Sequence, residues 1–148
     1  MNWSEQARSV GGIVAAQSIR LRKDFMLGLD NNSAVLLAMD FQNDIVDAKG
    51  KFGTQAFAGH VEQRHVIETA SQAVAAARDK GVAVVHVKVA LPDGHPDINM
   101  SAPLFAGVKQ LGALIEGTWG ADFHPAMKPA EGELIITKQS VSAFAGTD

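Results

Sequence analysis

Two charged residues, Asp40 and Lys138, each stand directly after a predicted strand. The strand before Asp40 is the continuous apolar run of residues 34–39, and the strand before Lys138 spans residues 133–137. Ligands of open α/β sheets bind at the carboxyl ends of the strands, so both side chains are expected at that edge. A lysine there can hold a neighbouring carboxylate ionised and orient it. The alternatives are that Asp40 caps the following loop and that Lys138 is an ordinary solvated lysine.

The elements that must position these two residues follow a strand–helix–strand pattern. Residues 82–89 form a second β-branched run, and residues 61–80 carry apolar side chains at helical spacing. Gly81 follows that segment, as expected for a helix stop. Strands that are apolar on both faces are typical of parallel sheets. The sequence therefore predicts an α/β fold with a parallel sheet.

The composition excludes several classes of protein. A chain of 148 residues with a formal net charge of −3 fits one globular domain and lacks the basic character of a nucleic-acid-binding protein. No apolar run reaches the roughly 18 residues that a membrane span needs. The sequence contains no cysteine, which excludes disulfides and thiolate metal sites within these residues. We expect a cytoplasmic protein with no nucleic-acid or membrane partner.

Two segments fall outside the strand–helix–strand pattern. Residues 1–32 are predicted to form an N-terminal arm or helix, which leaves residues 33–148 as the domain. A long connection rich in Pro and Gly follows the second strand, with one helical candidate over residues 104–115. Long irregular connections in compact domains usually carry function or are disordered. Apolar side chains indicate a packed, functional loop here: Leu104, Phe105, Trp119 and Phe123.

Other motifs point to no metal and no cofactor. Asp93 and His95 are two types of metal ligand close together, but no second histidine stands at a suitable spacing. Neither a glycine-rich nucleotide-binding motif nor a G-x-S-x-G motif of serine hydrolases occurs. We therefore expect chemistry that depends on side chains alone.

Three motifs together resemble the isochorismatase-like hydrolase superfamily, also called the cysteine hydrolase family. The first is LAMDFQND at residues 37–44, and the second is AARDKGVAVVHV at residues 76–87. The third and most specific begins with GTWGADFHP at residues 117–125 and continues through ITK to SAFAGTD at residues 142–148. The resemblance covers everything after the N-terminal arm.

The resemblance implies a three-layer α/β/α sandwich with a parallel sheet, usually assembled into dimers or larger oligomers. It also implies a catalytic triad of Asp, Lys and Cys, in which Asp40 and Lys138 match the first two members. The family's cysteine follows a further βα unit and strand. This sequence is therefore expected to hold only the N-terminal portion of the domain, with the cysteine in residues beyond it.

The function implied is hydrolysis of a small molecule, at either the C–N bond of an amide or carbamoyl compound or a vinyl ether. Asp40 would transfer the proton, and Lys138 would orient the Asp40 carboxylate. A homo-oligomer, dimer or tetramer, is expected. The alternative is a non-catalytic scaffold or oligomer-forming homologue, inactive because the cysteine region is absent. The candidates for the substrate-binding wall, with core packing as the alternative for the aromatic ones, are Phe41, Gln42, Trp119 and Phe144.

Overall fold

The computed structural model describes residues 30–53, 57–95 and 103–144 of the chain. Its strands are β1 (Val35–Met39), β2 (Ala83–Val89) and β3 (Leu134–Lys138). Its α-helices are α1 (Asn43–Val46), α2 (Ala58–Gln63), α3 (Val66–Asp79) and α4 (Pro103–Leu111). Short 3₁₀ turns form at Asn31–Ser33, Trp119–Ala121 and Pro125–Met127. The predicted N-terminal arm lies outside the described residues, apart from its last three.

The three strands form a parallel sheet in the order β1-β2-β3. Met39 pairs with Val87 across the first ladder, and Val89 pairs with Lys138 across the second. The predicted strands and the parallel sheet are confirmed, with each boundary within one residue of its expected position. Since all strands run the same way, their carboxyl ends meet at one edge, where Asp40 and Lys138 stand.

Helix α3 packs on one face of the sheet. The apolar cluster that joins α3 to β1, β2 and the last 3₁₀ turn consists of Ala38, Val74, Ala77, Val84 and Met127. The single helix predicted over residues 61–80 is wrong at its start, because His65 adopts a φ of 49° and separates α2 from α3. Its end is as expected, since Gly81 has a φ of 69° and the Val82 N–H donates to the Ala77 carbonyl.

Helix α4 packs on the opposite face. Val84 and Val89 of β2 point to opposite faces because side chains alternate along a strand. Val89 lies in a second cluster, which consists of Val89, Leu91, Val108, Ala113 and Leu114. Helices therefore flank both faces, which gives the expected three-layer α/β/α arrangement. The helix predicted over residues 104–115 ends earlier, at Leu111, because Gly112 and Leu114 adopt positive φ.

The buried carboxylate of Asp44 holds the long connection between β2 and β3 in place. Its Oδ2 accepts a hydrogen bond from the Leu114 N–H at 2.8 Å, and its Oδ1 accepts one from the Lys51 N–H at 3.1 Å. Gly120 packs so closely against this carboxylate that a Cβ atom would overlap it. The prediction that this connection is packed holds in part: Ala113, Ala121 and Phe123 are buried and Phe105 is half-buried, whereas Leu104 and Trp119 are about half exposed.

Candidate active site

Asp40 is the first residue after β1, and its backbone turns the chain sharply. Its φ of 63° lies in the left-handed region, which costs a residue other than glycine on the order of 1 kcal/mol, although aspartate tolerates it better than most. The Asp40 N–H donates to the Val87 carbonyl at 2.9 Å, and the Asp40 carbonyl accepts from the Gln42 N–H at 2.8 Å. These two bonds fix the direction in which the Asp40 side chain leaves the sheet edge.

Lys138 is the last residue of β3, and it reaches Asp40 across the end of β2. Neighbouring strands lie about 4.8 Å apart, so β1 and β3 are separated by about 10 Å. The long lysine side chain spans most of this gap, and its Nζ lies 3.0 Å from Asp40 Oδ2. The Nζ also donates to the Val141 carbonyl at 3.0 Å. Because the Lys138 side chain is only 4% exposed, it needs such partners.

The two oxygens of the Asp40 carboxylate have different surroundings. Oδ2 accepts the hydrogen bond from Lys138, whereas Oδ1 is buried and has no hydrogen-bond partner among the described residues. A buried acceptor without a donor is unfavourable, and more so when it carries charge. The Asp40 side chain as a whole is 39% exposed, so its accessible surface lies on atoms other than Oδ1.

A cavity of about 220 Å³ lies beside this pair. Asp40, Lys138 and Ser140 form its polar wall, and every other described residue that lines it is apolar. The principal apolar side chains come from the loop after α1, from α4 and from the loop after β3: Phe52, Phe57, Leu104, Phe105, Val108 and Val141. The arrangement places one carboxylate and one ammonium group at the side of an apolar chamber.

Gln42, a candidate substrate-binding residue, is fully buried and hydrogen-bonded to the backbone. Its Oε1 accepts from the Val89 N–H, and its Nε2 donates to the carbonyls of Val89 and Ala121, all at 2.7 Å. The neighbouring Asn43 donates in the same way to the Trp119 carbonyl at 2.7 Å. Gln42 thus ties the carboxyl ends of β1 and β2 to the loop that follows α4.

The other three candidate substrate-binding residues also lie off the wall of this cavity. Phe41 packs against the cluster beneath α3. Trp119 is half exposed at the start of a 3₁₀ turn, and Phe144 is 79% exposed. The structure therefore brings Asp40 and Lys138 together but places Phe41, Gln42, Trp119 and Phe144 elsewhere. A direct role of these four in substrate binding stays a prediction.

Sequence reasoning singled out Leu104 and Phe105 only as packed loop residues, and it missed the rest of the cavity wall. Phe52 and Phe57 follow a short helix without a periodic pattern, so nothing in the sequence links them to Asp40. Val141 contributes both a side chain to the wall and a carbonyl to Lys138. Its position three residues after Lys138 is the one sequence feature that connects it to the charged pair.

A second charged cluster lies away from the Asp40–Lys138 pair and joins α3, β2 and β3. Arg78 donates hydrogen bonds to both oxygens of Glu133 at 2.8 Å, and the ring of buried His86 lies 2.9 Å from the same carboxylate. Above all through its hydrogen bonds, the Arg78 guanidinium lowers the pKa of Glu133 from 4.5 to about 2. Burial opposes this shift in pKa, and the donors of Ala130 and His86 add to it.

The described part of the chain contains no group of three or more His, Asp or Glu side chains arranged to hold a metal ion. None of its helices combines the length and the apolar character required to cross a membrane.

Comparisons with known proteins place this geometry in a family. The isochorismatase domain family matches residues 34–148. Among solved structures, an isochorismatase family protein from Desulfovibrio vulgaris subsp. vulgaris str. Hildenborough is 28% identical, with a TM-score of 0.62 over 77% of this chain and 56% of that one. An isochorismatase-like hydrolase from Alkaliphilus metalliredigens is 25% identical, with a TM-score of 0.54 over 78% of this chain and 54% of that one.

A third structure, N-carbamoylsarcosine amidase from Thermoplasma acidophilum, shares the fold at 21% identity, with a TM-score of 0.58 over 77% of this chain and 56% of that one. The search among curated proteins found no significant match. The chain spans little more than half the length of these solved structures. The family match nevertheless extends over all three strands and both members of the charged pair, and the chain therefore belongs to the isochorismatase family.

Proposed function

We propose that this protein takes part in hydrolysis of a small molecule, with Asp40 as the proton-transferring residue and Lys138 as the residue that positions it. The observation that carries the proposal is the 3.0 Å contact between Lys138 Nζ and Asp40 Oδ2 at the wall of an apolar cavity. Lys138 occupies one carboxylate oxygen and leaves the other for a proton. Family membership and the hydrolases among the solved structures support the same class of reaction.

Two types of bond are candidates for hydrolysis in this reaction. For a C–N bond, Asp40 would accept the proton of an attacking thiol, and the thiolate would add to the carbonyl carbon. Asp40 would then return the proton to the leaving amine, and water would release the acyl group. The 148 residues contain no cysteine, so such a thiol would come from outside them. For a vinyl ether, Asp40 would act as a general acid and water would add without a covalent intermediate.

Replacement of Asp40 by Asn tests the proposal. Asn keeps the size of the side chain but cannot take up the proton. We expect the free energy of unfolding to fall by about 1–3 kcal/mol, because the buried Lys138 ammonium keeps only a neutral amide as its partner, although the left-handed φ suits Asn as well as Asp. Turnover of a panel of amides, carbamoyl compounds and vinyl ethers should fall at least about a hundredfold. Unchanged turnover in a folded variant would remove Asp40 from the mechanism.

A second candidate function is an assembly subunit without turnover. The observation that favours it is the exposed apolar face of β1, where Val35, Leu37 and Met39 are 56%, 40% and 43% exposed. We propose a second copy of this chain as the group that covers this face. Light scattering should then give at least twice the mass of one chain, and Leu37→Lys should reduce it to that of one chain. A single-chain mass for the wild type would remove this candidate.

A further inference from the structure

The backbone of β1 leaves the sheet before β2 does. Met39 and Val87 form the last pair of the first ladder, and the Asp40 N–H then donates to the Val87 carbonyl. At Asp40 the φ of 63° turns the chain away from the direction of the strand. β2 continues to Val89, which still pairs with Lys138 of β3. Because β1 has ended, its backbone offers no hydrogen-bond partner to Val89.

The side chain of Gln42 supplies the partners that a longer β1 would have supplied. Its Oε1 accepts from the Val89 N–H, and its Nε2 donates to the Val89 carbonyl, both at 2.7 Å. The backbone of a neighbouring strand would offer the same acceptor and donor, and a side-chain amide carries both. Gln42 is fully buried, so these bonds are not exchanged for bonds to water. Gln42 thus extends the first ladder by one step after the chain has turned.

Gln42 is itself fixed relative to the turn at Asp40 and to the loop after α4. Its N–H donates to the Asp40 carbonyl at 2.8 Å, and its backbone forms an antiparallel bridge with Phe123. Its Nε2 also donates to the Ala121 carbonyl at 2.7 Å. A movement of Val89 relative to the turn would therefore break bonds on a residue that is held from several sides.

Val89 connects Gln42 to the charged pair. It lies opposite Lys138 in the second ladder, and the turn at Asp40 ends the first. The 3.0 Å contact between Lys138 Nζ and Asp40 Oδ2 crosses the end of β2. A displacement of this strand end by about 1 Å would lengthen the contact beyond hydrogen-bonding range.

We propose that Gln42 is a positioning residue, which holds Lys138 and Asp40 at contact distance through Val89. The inference rests on the proposed function, in which this pair carries the proton transfer, and it adds a residue that acts from outside the cavity wall. The side-chain amide allows Asp40 to turn out of the strand while the end of β2 stays ordered.

The ammonium protons of Lys138 report on the pair without any need for turnover. The Lys138 side chain is 4% exposed, and its Nζ donates to Asp40 and to the Val141 carbonyl. Its protons should therefore exchange slowly with solvent in NMR spectra. Gln42→Met keeps the length of the side chain and removes its hydrogen bonds. We expect exchange at least about tenfold faster in this variant, because the loss of one net hydrogen bond already changes a local equilibrium by about that factor.

A control variant separates positioning from stability. Val74→Ala removes buried apolar volume from the cluster beneath α3 and lowers the free energy of unfolding from there. Under conditions in which both variants are folded, Lys138 exchange in Val74→Ala should stay at the wild-type rate. The same acceleration in both variants, or none in Gln42→Met, would overturn the proposal. Wild-type Lys138 protons that exchange as fast as those of the exposed Lys49 would also overturn it.

Gln42→Glu keeps the shape of the side chain and serves if Gln42→Met does not fold. A protonated carboxyl group still offers an acceptor and a donor, whereas the ionised group has only acceptors, which would face the carbonyls of Val89 and Ala121. The NMR signal of the carboxyl carbon shows when it ionises. Lys138 exchange, relative to wild type at the same pH, should be unchanged before that ionisation and at least about tenfold faster after it. The same relative rate on both sides of the ionisation would contradict the positioning role.

Kinetics separates this inference from the proposed function. Gln42→Met should lower kcat at least about tenfold and leave KM within about twofold, because it misplaces the proton-transferring pair and leaves the cavity wall intact. An unchanged kcat in the folded variant would overturn the inference. Turnover that does not depend on Asp40, together with Lys138 exchange that depends on Gln42, would remove the proposed function and leave the positioning of the pair standing.

Discussion

Glu133→Gln should lower the stability of the protein and change how that stability depends on pH. Glu133 accepts hydrogen bonds from Arg78 on α3 and from the Ala130 N–H, and the His86 ring contacts it from β2. Glutamine has the same shape but carries no charge. One of its two terminal atoms is a donor, which would face a donor of Arg78. The substitution therefore weakens the connection between α3, β2 and the start of β3.

The magnitude follows from the pKa of Glu133, which is lowered from 4.5 to about 2 in the folded protein. Each unit of pKa corresponds to about 1.4 kcal/mol, so the upper limit is about 3.5 kcal/mol. The Arg78 side chain is 37% exposed, and solvent screens such a pair, so we expect about 1–2 kcal/mol. Because the folded pKa lies below the unfolded one, this stability is present above pH 4.5 and is lost as the pH falls towards 2.

Urea unfolding at a series of pH values between 7 and 2 measures this difference. The gap between wild type and Glu133→Gln should be largest near neutral pH and should close towards pH 2. Glu131→Gln is the matched control, because it removes the same charge from an exposed position in the same turn. A gap that stays constant with pH, or an equal loss in the control, would refute the role assigned to the Glu133 charge.

Three further substitutions test the packing around the site, with urea unfolding as the measurement. Lys138→Met removes the cation from a buried side chain, which should lower the free energy of unfolding by about 1–3 kcal/mol and abolish any turnover. Lys49→Met, at an exposed position, should leave the free energy of unfolding unchanged. Undiminished turnover in Lys138→Met would contradict the positioning role. Gly120→Ala forces a Cβ against Asp44 and should cost more than about 2 kcal/mol, whereas Gly59→Ala has open space and should be tolerated. Gln42→Leu removes the amide that bonds to a backbone N–H and two carbonyls, and it should lower the free energy of unfolding by about 2–4 kcal/mol. Gln72→Leu, at an exposed position, should change it little.

The parts of the fold that could be predicted from the sequence are those that follow from local patterns. A continuous apolar run identified β1, and runs rich in β-branched residues identified β2 and β3, because such residues favour strands. The break at His65 could not be predicted, since a left-handed residue other than glycine leaves no mark in the sequence. The early end of α4, in contrast, does leave a mark in the sequence, because Gly112 follows Leu111 directly and adopts a φ of 57°.

The pairing of Asp40 with Lys138 could be anticipated because parallel strands bring their carboxyl ends to one edge. The cavity wall could not, since Phe52, Phe57 and Phe105 converge only through tertiary packing. Gln42 shows the opposite case. A polar residue two positions after Asp40 is a reasonable candidate for substrate binding, but its amide bonds to the N–H and carbonyl of Val89 and to the carbonyl of Ala121.

The strand order explains why a lysine rather than a shorter cation stands opposite Asp40. Because β2 lies between β1 and β3, these two outer strands are about 10 Å apart. The aspartate side chain covers a small part of this distance, and its partner must cover the rest. Lys138 does so from a position fixed by its pairing with Val89. The same Val89 is held by the amide of Gln42, two residues after Asp40. The ladder and this amide thus fix both ends of the pair relative to one strand. In the proposed reaction, Asp40 would therefore not have to be ordered again when a substrate binds, and such preorganisation is what makes proton transfer by a positioned side chain fast.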